Sequence, residues 1–378
     1  MQEYIFIISV GLVLYAYLFY PISMYVISIF KKERSYQSKY YPNISLIIAA
    51  YNEEKRIERK LDNTISIKYP KEKLQIIVSS DGSTDKTNEI CREYEEKGVE
   101  LLAMGQRAGK ENAQKQALQL AKGDVIVFTD VATMVDPDGI EQIVSSFADP
   151  EIGCVSSEDR VIGKDGKQSG ENFYVRYEMW LRRLESRANS PVGLSGSFFA
   201  ARKSVCHDFA ADMDSDFRTL LNSVKMGMRG TTDPKAIGYY FDVADQRQEF
   251  ERKIRTVLRG LTLFFRNTEF LNLFKYGIFS YQFFCHKLLR WLVPFFLILA
   301  FIFNAFLAAT SKIYFILFLG QIIFYGLSIL PRAYDMYSSS WKILKIPVYF
   351  VVVNASIFVA WWRYLRHHRV VMWTPSER

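Results

Sequence analysis

The sequence predicts an α/β fold with a largely parallel sheet, fastened to a membrane by apolar helices at both ends. Two observations predict it. Between roughly residues 40 and 245, short β-branched runs alternate with polar helical stretches, the pattern of a parallel sheet covered by helices on both faces. Outside that stretch lie long apolar segments. Of the 378 residues, 49% are hydrophobic and 15% aromatic. That is high for a soluble protein and low for one lying wholly in a membrane.

Residues 4–30 are apolar apart from a few Ser and Tyr, and Lys31, Lys32 and Arg34 follow at once. About 20 residues suffice to cross the hydrocarbon core. The segment is too long for a removable signal peptide, and it has no basic start. The flanking charge places residues from Lys31 onward in the cytoplasm. Three further apolar stretches lie near 288–309, 313–331 and 346–365. Four crossings would leave the C-terminus outside, yet the tail from Arg363 onward is basic, which favours the inside. The expected layout is therefore a transmembrane helix at 1–30, a cytoplasmic domain at 40–245, interface helices at 246–280, a transmembrane region at 281–365 and a basic tail at 366–378.

The formal net charge is +8. Much of the excess flanks apolar segments, as at Lys287, Arg290, Arg363, Arg366 and Arg369, so it is read as facing lipid head groups and not nucleic acid. Cys91, Cys154, Cys206 and Cys285 are widely spaced and form no metal-ligand pattern, which suits reduced thiols in a cytosolic setting.

The predicted strands are 44–50, 74–80, 99–103 and 125–129, with helical segments at 53–66, 84–97 and 110–121. Ligands of such sheets bind at the C-terminal strand ends. Three of the four runs end in functional groups: Tyr51-Asn52-Glu53-Glu54, Asp81-Gly82-Ser83-Thr84-Asp85, and Asp130. A strand-end carboxylate can accept hydrogen bonds from ribose or base. The same Asp-Gly-Ser-Thr run also reads as a plain turn, with Ser83 or Thr84 capping a helix. The first strand is not followed by Gly-X-Gly-X-X-Gly, which sets aside a dinucleotide-dependent oxidoreductase.

Two amphipathic helices follow. In 172–187, Phe173, Tyr177, Trp180, Leu181 and Leu184 share a face, and Glu178 and Glu185 are assigned to an exposed one. In 250–266, an apolar stripe from Phe250 to Phe265 lies opposite Arg252, Arg255, Arg259 and Arg266; this helix is expected at the membrane interface. His207 and His286 have no partner at ligand spacing and read as structural.

In the order of its motifs, the chain resembles the family 2 glycosyltransferases over about residues 44–260. Ala50-Tyr51-Asn52-Glu53 looks like the family's opening nucleotide loop, and Asp81 lies in what looks like the second. Arg107-Ala108-Gly109-Lys110 matches a basic loop near the nucleotide. Thr129-Asp130-Val131-Ala132 sits where the Asp-X-Asp metal motif belongs. Gly193-Leu194-Ser195-Gly196-Ser197 resembles the acceptor loop, Asp214-Ser215-Asp216 the motif whose last Asp is the catalytic base, and Arg252-Lys253-Ile254-Arg255-Thr256 the Gln/Arg-X-X-Arg-Trp motif of membrane polysaccharide synthases.

The resemblance implies a Rossmann-like nucleotide-sugar domain of GT-A type. It implies an inverting transfer from a nucleoside-diphosphate sugar, of UDP type, to a polysaccharide or lipid-linked acceptor at the plasma membrane. Asp216 would be the base, Arg252 and Arg255 the charge on the departing diphosphate, Gly196 and Ser197 the acceptor contacts. Asp130 would hold Mg2+ or Mn2+. Ala132 replaces the second metal carboxylate, but magnesium often keeps waters and binds substrate phosphates. Thr256 replaces a Trp of processive synthases, which weakens a long-chain reading. Plainer assignments stand beside these: Asp216 as a helix N-cap, and the two arginines as a solvated or head-group-facing surface. A non-catalytic nucleotide-sugar-binding subunit of an assembly system is the competing function. His286-Lys287-Leu288-Leu289-Arg290-Trp291 resembles a segment of exopolysaccharide and chitin- or hyaluronan-type synthases.

Overall fold

The computed structural model describes residues 1–31, 40–162, 173–241, 246–333 and 345–369. Lys32, Arg34 and the tail beyond residue 369 lie outside them. Four parallel strands form one half of an eight-stranded sheet: β1 (Ile44–Ala50), β2 (Leu74–Ser80), β3 (Val99–Ala103) and β4 (Val125–Asp130). Their boundaries are the expected ones to within a residue. β1 is buried along its whole length, as a run of Ile, Leu and Ala between two helical layers should be.

The other half is mixed, which corrects the expectation of a largely parallel sheet. It comprises β5 (Thr133–Val135), β6 (Ile152–Ile162), β7 (Phe198–Arg202) and β8 (Arg229–Phe241). The order is β3-β2-β1-β4-β7-β6-β8-β5. β7 runs antiparallel to both β4 and β6. These strands escape sequence reading because β7 is only five residues long and β6 and β8 carry many polar residues.

Helices α1 (Ile57–Ile65), α2 (Thr87–Arg92), α3 (Lys110–Leu120) and α4 (Gly139–Ser145) connect the strands. One face of the sheet packs Ile57, Leu61, Ile140 and Ile143 over Leu46, Ile48 and Val127. The opposite face packs Ala117, Phe209 and Leu220 over Ile47, Ile126 and Phe128.

Helices α5 (Phe173–Ala188), α6 (Ser215–Lys225) and α7 (Gln246–Arg266) join this domain to the apolar ends. Among the described residues three helices are long and apolar enough to cross a membrane: Gln2–Ile29, Ile278–Ala308 and Pro347–Leu365. The 313–331 stretch falls in a helix, Lys312–Ala333, whose described apolar part, Lys312–Ser328, is shorter. Side chains such as Ile7, Ile22, Phe306, Phe315 and Ile316 stand exposed on these helices, as lipid-facing groups do.

A core of Phe217, Leu221, Leu261, Phe264, Phe283, Trp291 and Ile357 welds α6 and α7 to the apolar helices. The Phe264 and Phe283 rings stack with centroids 4.4 Å apart, and such aromatic pairs add to plain area burial. The domain is therefore packed directly against the apolar helices.

Two sequence assignments change here. Arg259, expected opposite the apolar stripe of α7, is turned inward and only 4% exposed. Glu178 and Glu185, expected on an open face of α5, point at the apolar helices. Glu185 is fully buried and accepts from Tyr20 and from His286, whose Nδ1 lies 2.6 Å away. Glu178 pairs with Arg290 at 2.5 Å and with His286 at 3.4 Å. Burial acts to raise the Glu178 carboxyl, but Arg290 and His286 outweigh it and hold it well below the usual range. Buried carboxylates persist only with such partners, which a one-dimensional pattern does not reveal.

Candidate active site

The strand ends of β1, β2 and β4 come together as expected, and their loops are laced to each other. Asn52 takes a positive φ of 50°, which Asn tolerates better than most residues. From there its side chain accepts from the Thr84 N–H at 2.8 Å. Ser83 Oγ accepts from the Asn52 N–H, and Thr87 Oγ1 from the Glu53 N–H. The opening loop is thus fixed by the second one. Glu53 itself is buried against Arg56.

Asp81 does something more specific than offer a free carboxylate. Its two oxygens accept from the Ala108 and Gly109 N–H groups at 2.7 and 2.8 Å, which shapes the basic loop. Gly82 permits the turn, with φ +67° and no room for a Cβ, which would lie 2.7 Å from the Arg107 nitrogen. The Arg107 guanidinium lies 3.8 Å over the Tyr51 ring, a flat cationic platform where a base could stack.

Lys110 opens α3 just after Gly109. Its ammonium donates to Asp130 Oδ1 at 2.5 Å and to the Gly196 carbonyl at 3.1 Å. One cation therefore joins the end of β4 to the loop before β7. Beneath Asp130, the fully buried Lys60 donates to Thr129 Oγ1 and to the Thr133 carbonyl. Burial pulls this amine down to about 7, against the opposing pull of Asp130.

The loop at 193–197 is held by Asp159, which sequence reading passed over. Its carboxylate accepts from Ser195 and Ser197 at 2.7 and 2.9 Å. Ser197 is therefore already bonded, whereas Gly196 faces open chemistry. A Cβ built on Gly196 would stand 3.6 Å from the Asp216 carboxyl atoms. Nothing but hydrogen shields that carboxylate on this side.

Asp214, not Asp216, occupies the cap position of α6, and its side chain makes no capping bond. The N-cap alternative for Asp216 is thereby corrected, since Asp216 lies in the helix's first turn. Burial first, and the neighbouring Asp214 second, push its carboxyl up to about 7, while Lys110 and Lys287 pull it down. A carboxyl with that affinity for protons suits a general base near neutral pH.

The cationic side differs from expectation. Arg252 is held by Glu249 at 2.6 Å. Arg255 is half-buried beside Arg259, Asp214 and Glu111. Arg259 pairs with Asp214 at 3.0 Å and with the buried Glu111, and donates to the Met213 carbonyl. Its spacing, four residues after Arg255, was the available signal, because i and i+4 share a helix face.

Among the described residues no group of three or more His, Cys, Asp or Glu is placed to hold a metal ion. Asp130 offers one carboxylate, with Ala132 where a second would stand. Asp130 Oδ1 is already taken by Lys110, so an ion there would have Oδ2 and would draw the rest of its shell from diphosphate oxygens and waters.

Residues 45–209 match the model for Glycosyl transferase family 2. A poly-beta-1,6-N-acetyl-D-glucosamine synthase of Staphylococcus aureus (strain COL) is 30% identical over 235 residues, 56% of each chain. A synthase of the same name from Staphylococcus epidermidis is 28% identical over 212 residues, half of each chain. The chain thus spans about half the length of the curated relatives it matches. The solved mannosyltransferase PcManGT from Pyrobaculum calidifontis, in complex with GDP-Man and Mn2+, shares the fold with a TM-score of 0.73. That match covers 97% of this chain and 99% of that one at 23% identity. Residues 45–209 thus match a glycosyltransferase family 2 domain, in a fold of GT-A type set among apolar helices.

Proposed function

We propose that this protein is an inverting glycosyltransferase that moves a sugar from a nucleoside-diphosphate donor to a growing polysaccharide at the cytoplasmic membrane face. The observation that carries the reading is the convergence of Lys110, Asp130, Gly196 and Asp216 within one set of contacts. Asp216 takes the proton from the acceptor hydroxyl. The acceptor oxygen bonds to the anomeric carbon as the bond from that carbon to the phosphate oxygen breaks, and the nucleoside diphosphate leaves. Asp216 acting as a base on the acceptor side supports direct displacement by the acceptor oxygen, which inverts the anomeric carbon.

The base stacks by Tyr51 and Arg107, and the diphosphate lies toward Lys110 and Asp130. A divalent ion held by Asp130 would neutralise charge on that diphosphate. The solved neighbour was crystallised with Mn2+, which supports dependence on such an ion, Mg2+ or Mn2+. Arg255 adds fixed positive charge; Arg252 joins it only on leaving Glu249. The loop at Gly196 receives the acceptor.

The curated relatives make a polymer of N-acetylglucosamine by name, which supports a UDP-sugar donor and extracellular polysaccharide synthesis. Lys31 directly after the first apolar helix supports a cytoplasmic domain. A shorter product is the second reading. Thr256, where processive synthases carry Trp, is exposed, and its hydroxyl donates to its own helix at the Arg252 carbonyl. Feeding membranes that contain the full chain with labelled nucleotide sugars tests both readings. Release of nucleoside diphosphate with a sized, inverted product supports transfer. Binding without release points to a non-catalytic subunit, and full activity in excess chelator removes the metal.

A further inference from the structure

The reading above uses nothing from His286-Lys287-Leu288-Leu289-Arg290-Trp291, which opens the second membrane-length helix. There the chain widens into a π-type winding over Phe283–Leu289, a feature that often marks functional sites. His286 and Arg290 point toward α5 and are committed to Glu185 and Glu178. Lys287 points the other way. Its ammonium lies 4.6 Å from the Phe217 ring centroid and 5.8 Å from that of Trp291. A Cβ on Gly193 would stand 3.3 Å from it.

Phe217 is the residue after Asp216, and the Lys287 ammonium and the Asp216 carboxylate lie close enough to act on each other electrostatically. The loop 193–196 passes near Lys287 at Gly193 and near the Asp216 carboxylate at Gly196, close enough that an added Cβ would meet each. Four charged groups face Asp216: Asp214 from its own helix end, Lys110 from α3, Arg259 from α7, and Lys287. Lys110 is engaged by Asp130 and Gly196, and Arg259 by Glu111, Asp214 and Met213. Lys287 makes no hydrogen bond or ion pair among the described residues. An ammonium held between aromatic rings and largely out of water needs a compensating charge; Asp216 is the carboxylate that acts on it most strongly, ahead of Glu185 and Glu178 of α5, with Arg182 opposing them.

We propose that Lys287 is a positioning residue for Asp216, a cation brought in by a membrane helix that keeps the carboxylate ionised and oriented toward the acceptor. The proposal rests on Asp216 being the base. It makes the catalytic power of the domain depend on how that helix is docked, with no residue of the helix touching the reacting atoms.

The test compares pH profiles of kcat/KM for the full-length protein in membranes, with nucleoside diphosphate release as the readout. Removing a cation from beside a carboxylate makes ionisation harder. Lys287→Met is expected to move the acidic limb up by about one pH unit, or roughly tenfold in rate below it. Activity should recover at high pH, and Lys287→Arg should keep the wild-type limb. Lys287→Gln serves the same comparison if Lys287→Met does not accumulate. A lowered plateau with an unmoved limb makes Lys287 a structural clamp and overturns the proposal. Asp216→Asn separates the two readings. If it retains turnover, the base assignment fails, and the proposal with it. If it is inactive while the Lys287 variants leave the limb in place, the proposal alone fails.

Discussion

Lys110 Nζ stands 2.5 Å from Asp130 Oδ1, and the same ammonium reaches the Gly196 carbonyl at 3.1 Å. This contact joins the end of β4 to the loop before β7, the proposed donor and acceptor sides of the site. Replacing Lys110 with Met removes the cation nearest the expected diphosphate and frees the Asp130 carboxylate. Affinity for a nucleoside diphosphate should fall at least about tenfold, or ~1.4 kcal/mol. Calorimetric titration of the detergent-solubilised chain measures it. Unchanged affinity would place the diphosphate elsewhere.

Gly196 faces the Asp216 carboxylate with nothing larger than hydrogen. An added methyl would meet that carboxylate at 3.6 Å, an ordinary contact, so Gly196→Ala should change stability by less than about 0.5 kcal/mol. The methyl would still occupy the acceptor's approach. We expect turnover to drop by about tenfold to 100-fold, since small misplacements at the reacting centre are costly. Paired unfolding and rate measurements separate the two effects.

Arg259 and Arg252 lie on one helix but carry different loads. Arg259 is buried between Glu111 and Asp214, and its loss leaves two carboxylates unpaired. Arg259→Ala should cost roughly 3–5 kcal/mol of stability. Arg252 is 39% exposed in its pair with Glu249, and Arg252→Ala should cost no more than about 1 kcal/mol. Chemical unfolding of both variants checks the ranking, and equal losses would show that the buried network is not the anchor described.

Burial and Asp214 hold the Asp216 carboxyl at about 7, above its value in an unfolded chain. The charged form is the base, so kcat/KM should rise with pH through the region near 7. Stability should run the other way. The contribution of a carboxyl with a raised folded value is fully present below its unfolded value and is lost as pH rises through about 7. Asp216→Asn removes that loss. The variant should therefore melt at the same or a higher temperature than wild type at pH 8, and a lower melting temperature would show that the carboxylate stabilises the fold.

How much of this was legible beforehand follows from the range of each interaction. Strands β1 to β4 announce themselves by β-branched runs and turn residues, which are local signals. Tyr51, Asp81 and Asp130 stand out as candidates because they follow strand ends, where parallel sheets bind ligands, and Lys110 because its loop resembles the family's basic loop. Asp159 carries no such signal. It becomes visible only when β6 lies beside β7 and brings it to Ser195 and Ser197. Glu185 and His286 are 101 residues apart in sequence, and neither has a partner until α5 meets the apolar helices. Arg259 reads as a surface arginine because its partners come from α3 and α6. The missed residues are all ones whose meaning is set by a partner distant in sequence.

The central claim is that Asp216 removes the acceptor proton, and Asp216→Asn tests it most directly. Asn keeps the size of the side chain but cannot accept that proton. With donor and acceptor saturating, turnover measured as nucleoside diphosphate release should fall on the order of 100-fold or more. Nucleoside diphosphate binding should survive, since Tyr51, Arg107, Lys110 and Asp130 are untouched. Near-normal turnover in a folded Asp216→Asn protein would contradict the account and move the search for the base to Asp214 or Asp212.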